Sequence, residues 1–140
     1  MTYCEIYMKK LLLILPFLAL GGCVTPIDQM INNKFSDVEP TKPQVAGIWT
    51  TSVGPSLSTI KLNEDGNGLL CEDSSGYVSL NKVKYSDGRL FAQNGMILKV
   101  LKLTEDVLEA KTTVSAFNVT MAYKSDSALK AASSKCAKEL

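Results

Sequence analysis

The chain has 140 residues, 46% of them apolar and 21% charged, a composition that suits one folding domain. Fifteen basic against fourteen acidic side chains leave a net charge of +1, so no overall field recruits a polyanion and nucleic-acid binding is disfavoured. Histidine is absent, which removes imidazole catalysis and His-ligated metals and points to a protein that is not an enzyme and needs no cofactor.

The first readable segment is Met8-Lys9-Lys10, an apolar run from Leu11 to Leu20, and Gly21-Gly22-Cys23. A basic start, an apolar stretch too short to span about 30 Å of hydrocarbon, and small residues before a cleavage point describe a secretory signal peptide over 1–22. Glu5 stands where such a signal is basic, so translation is expected to start at Met8. Leu20-Gly21-Gly22-Cys23 resembles the bacterial lipobox. That resemblance implies cleavage between Gly22 and Cys23, with lipidation of Cys23: diacylglycerol on its thiol and a further acyl chain such as palmitate on its new amine. More than one chain makes a stable anchor. Val24 occupies the position where inner-membrane lipoproteins of enterobacteria carry Asp, so the resemblance implies the outer membrane.

Residues 23–45 read as a lipidated tether. Thr25-Pro26-Ile27-Asp28 has the pattern of a helix start, with Ile27, Met30, Ile31 and Phe35 on one face. Ser36 to Gln44 is polar and proline-punctuated, as a flexible linker would be.

From 46 to 124 the period changes to that of strands. Runs at 46–53, 58–63, 68–73, 77–85, 89–93, 96–103, 107–114 and 117–124 are separated by turn residues such as Gly54-Pro55, Gly66-Asn67-Gly68, Ser75-Gly76 and Asp87-Gly88. This predicts a mainly β fold, an antiparallel eight-stranded up-and-down meander able to close into a small barrel. Met96 to Leu103 has apolar groups on both faces, and the pattern predicts a cover outside that strand. In 125–140, Leu129, Ala132, Cys136 and Leu140 recur at helical spacing behind the capping residues Ser125-Asp126-Ser127, which predicts a C-terminal helix of about 12 residues.

Export leaves Cys71 and Cys136 as an even pair in an oxidising compartment. They are read as a disulfide stapling helix to barrel, the alternative being two free or redox-active thiols. Asn63-Glu64-Asp65-Gly66-Asn67-Gly68 gathers oxygen ligands, but it lacks the spacing of a calcium loop and reads as a tight turn. No metal site is expected. Lys61, Lys82, Lys84, Lys99, Lys102 and Lys111 are read as solubilising an outer face.

Gly47-Ile48-Trp49 at the head of the meander resembles the G-x-W start of lipocalin-like barrels, which implies that Gly47 and Trp49 plug one barrel end. With the lipobox, Ile60 to Gly68, Lys84 to Gly88 and Cys136 to Leu140, the chain resembles a family of short uncharacterised gamma-proteobacterial lipoproteins. Val83-Lys84-Tyr85-Ser86-Asp87-Gly88 is similar to the central strand of membrane-bound lysozyme inhibitors, although Asn81 and Lys82 stand where those carry Ser-Gly. The reading is therefore a non-enzymatic envelope lipoprotein, membrane-bound through Cys23, whose barrel binds an envelope protein or supports envelope integrity. Inhibition of a lysozyme or other hydrolase, and carriage of a small hydrophobic ligand, are the alternatives.

Overall fold

The computed structural model describes residues 34–114 and 118–140. The expected signal peptide, the cleavage position Gly22, Cys23, the helix start from Thr25 to Ile31, and Phe117 lie outside them.

Among the described residues eight strands follow in order: β1 Gly47–Val53, β2 Ser56–Leu62, β3 Asn67–Ser74, β4 Tyr77–Ser86, β5 Arg89–Ala92, β6 Ile97–Leu103, β7 Val107–Thr112 and β8 Thr120–Ser125. Each pairs antiparallel with the next, and β1 pairs β8, opposite Ser125 and Lys124, to close the barrel. Closure removes the unpaired edges that an open meander would expose. Ser75 with Gly76, and Asp87 with Gly88, all adopt positive φ. Such pairs make the tight two-residue turns whose twist matches the flanking strands.

Alternation gives the barrel its inside. Trp49, Ile60, Leu62, Leu70, Leu90, Leu98, Leu108 and Tyr123 all belong to one buried cluster. In β6 the register shifts between Val100 and Lys102, a bulge. The extra residue, Leu101, turns outward and is 47% exposed, while Leu98 and Leu103 are buried. The two-faced apolar pattern of this strand therefore reflects a bulge, not the outside cover the sequence suggested.

Cover exists elsewhere. The C-terminal segment lies on the outer face of β1 to β3, where Thr50, Thr59 and Cys71 are buried despite pointing away from the barrel axis. Only Cys136–Glu139, here α1, is helical. The predicted 12-residue helix shrinks because Leu129 takes a left-handed φ of 53° and Asp126 binds the following main chain in a compact turn.

The stretch expected to be a loose linker is a strap. After one 3-10 turn at Phe35–Asp37, the chain crosses the barrel base, where Thr41 N–H donates to Tyr85 O at 2.8 Å and Pro43 is buried. Gly66 makes the crossing possible: a Cβ there would lie 2.2 Å from Thr41 O.

Candidate functional site

Both ends of the barrel interior are defined by strand register. At the base, Trp49 is fully buried and its indole N–H donates to Thr104 O at 3.2 Å, tying β1 to the turn before β7. Gly47 lies against the ring: a Cβ there would come within 3.0 Å of it. The indole requires the glycine two residues earlier, which is a steric reason for the G-x-W pattern.

Toward the other end the inward positions become polar. Ser58 stands opposite Glu72, and Glu72 opposite Ser79, so these three share one inward-facing row across β2, β3 and β4. Ser58 Oγ meets the Tyr123 hydroxyl at 3.2 Å, and that hydroxyl donates to Met121 Sδ at 3.7 Å. Asn81, in the next inward row, donates from Nδ2 to Ser79 Oγ at 2.9 Å. Burial pushes the Tyr123 phenol up to about 12; the Ser58 contact opposes this and the charge of Glu72 adds to it. Burial likewise raises the Glu72 carboxyl above its ordinary value. The arrangement offers a carboxyl that holds a proton readily, beside hydroxyl and amide groups. It suits hydrogen bonding to a small polar group.

Outside the barrel, Cys71 and Cys136 are joined by a disulfide with Cα atoms 5.7 Å apart. Thr50 Oγ1 bonds both Thr59 Oγ1 and Asp126 Oδ2, each at 2.9 Å. Local pattern marks Asp126 only as a helix cap beside Ser125 and Ser127, whereas its carboxylate gathers the main-chain N–H groups of Lys130, Ala131 and Ala132. Glu72 carries one local signal, its place between Leu70 and Ser74 in an alternating run, which puts it on the inner face but does not mark it as part of a site. Among the described residues no group of three His, Cys, Asp or Glu converges as metal ligands would.

Residues 32–140 match the family model described as bacterial lipocalin LPS transport optimiser YedD. No curated protein and no solved structure matches the chain.

Proposed function

The chain belongs to the YedD family of bacterial lipocalins, and from that premise we propose that it is a non-enzymatic envelope protein that assists lipopolysaccharide transport by binding another envelope protein. The observation that carries the binding role is the filling of the barrel. Trp49, Leu70, Leu108 and Tyr123 occupy its interior with almost no exposure, and an acyl chain would have to displace them. Export over 1–22, lipidation of Cys23 and a tether beginning at 23 belong to the same reading, because an accessory of outer-membrane transport works at the membrane surface. Val24 after the lipidated residue favours the outer membrane. A second reading, carriage of a small ligand, is favoured by the polar inward row around Glu72.

Deletion and complementation test the proposal. A strain lacking the protein, with lipopolysaccharide transport made limiting, should admit large hydrophobic antibiotics and display less lipopolysaccharide. The wild-type gene should restore both, and Cys23→Ser should restore neither while losing membrane association. Full restoration by a soluble Cys23→Ser protein would overturn the anchored reading. A small ligand retained through purification by the wild type but lost from Glu72→Ala, with no protein partner captured by cross-linking, would promote the carrier.

A further inference from the structure

On the outer wall of the barrel, Lys61 stands opposite Leu69 and Leu69 opposite Lys82, with Lys84 opposite Asn67 in the next row. Phe35 of the strap approaches them, and together these residues line a groove of about 530 Å³. Lys84 Nζ donates to Phe35 O at 3.1 Å and Val38 O at 2.9 Å and sits 4.8 Å from the centre of the Phe35 ring. Carbonyls and a ring hold this ammonium in place without cancelling its charge. Lys61 Nζ is committed instead to Leu140 O, a carboxyl oxygen of the last residue, so its charge is already met and it serves as one wall of the groove. Among the described residues no Asp or Glu lines the groove. Asp65, in the adjoining turn, commits its carboxylate to Asn67 N at 2.9 Å and Asn67 Nδ2 at 3.0 Å.

The outer face of β4 adds direction. Val78, Leu80, Lys82 and Lys84 follow one another along it, and the first two are 38% and 42% exposed. An apolar half thus runs into a basic half along one strand, beside the half-buried Leu69 and Phe35.

We propose that this groove binds the phosphate-bearing headgroup of an anionic lipid, with the phosphate at Lys82 and Lys84 and the first methylenes along Leu69, Leu80 and Val78. Lysines present point charges that suit a phosphate, and the apolar continuation is what distinguishes a lipid from a free anion. The lysines here, read from sequence as solubilising charge, are organised by strap and register into a site. The inference deepens the envelope reading by naming a ligand class, and it rests on that reading only for the ligand being within reach.

The test is a calorimetric titration of the full chain, purified from membranes in non-ionic detergent, with dihexanoyl phosphatidylglycerol, dihexanoyl phosphatidylcholine and inorganic phosphate. Saturable binding of the phosphatidylglycerol is expected, weakened about fivefold by Lys82→Gln, the loss of one lysine-to-anionic-lipid attraction. Lys111→Gln, on β7, should leave it unchanged. Lys82 is exposed, and formation of the Cys71–Cys136 bridge reports that the variant has folded. Equal binding of phosphatidylcholine, equal binding of inorganic phosphate, insensitivity to Lys82→Gln, or no saturable binding would each overturn the proposal. The titration uses purified protein, so its failure leaves the complementation result standing, and the reverse also holds.

Discussion

Asp126 is 7% exposed, and its carboxylate accepts from the main-chain N–H groups of Lys130, Ala131 and Ala132 and from Thr50 Oγ1. Removing it would leave those donors facing a site that water enters poorly, and an unsatisfied buried donor costs more than the bond itself contributed. Asp126→Ala is expected to destabilise the fold by about 3 kcal/mol, since hydrogen bonds to a charged group are worth roughly 1.5 to 3 each and do not add fully. Asp126→Asn should recover part of that. Urea midpoints of the two variants check it; a shift under about 1 kcal/mol for the alanine would mean the segment orders itself without the carboxylate.

The C-terminal segment is an element with little helix of its own. Four helical residues would not hold in water unaided, so docking must come from contacts that reach across the chain. The Cys71–Cys136 bridge spans 65 residues, and loop-closure entropy puts its contribution at about 4 kcal/mol. Replacing both cysteines by alanine should lower the unfolding free energy by up to that amount while the strand signal in circular dichroism persists. Amides of 126–140 should then exchange faster with deuterium than those of β1 to β3. Unchanged exchange in 126–140 would show that the Asp126 network and Lys61 suffice to dock it.

Across the whole molecule the charged groups shape a stability profile against pH. Burial alone would raise Asp126, but its donors outweigh burial and hold the carboxyl below its ordinary 3.8. The contact with Asn67 depresses Asp65, and that with Ser133 depresses Asp73. A folded-state pKa below the unfolded one contributes stability above the unfolded value and loses it as pH falls through the folded one, so an acid limb should begin below about pH 4. Tyr123 has the opposite sign. Raised from 10.0 to about 12, it contributes stability below pH 10 that is lost as pH climbs toward 12, because the unfolded phenol ionises first. Glu72, raised by burial, contributes below its ordinary 4.5 and loses that contribution as pH rises through its folded value. Glu72→Gln is therefore expected to raise the unfolding midpoint at pH 7 and to gain less at pH 4. Denaturation midpoints from pH 2 to 12 check all three limbs. An alkaline decline as steep in Tyr123→Phe as in wild type would remove Tyr123 as its cause.

Strand order, the tight turns at Ser75-Gly76 and Asp87-Gly88, and the eight-stranded class were legible in the sequence, because side-chain alternation and positive φ are properties of neighbouring residues. The cysteine pair was legible as well, from counting. Other features depend on which residues meet after closure. Thr50 finds Asp126 across 76 positions, and Lys84 finds Val38 across 46. Local spacing cannot encode such distances, so it predicts a helix where Asp126 builds a turn, and a free linker where Thr41 docks on Tyr85. The bulge at Leu101 belongs to the same class: local pattern specified two apolar faces, and only pairing with β7 decided which residue left the ladder. The groove of Lys61, Lys82 and Lys84 arose likewise, from strand register and a strap that the tertiary fold alone brings together.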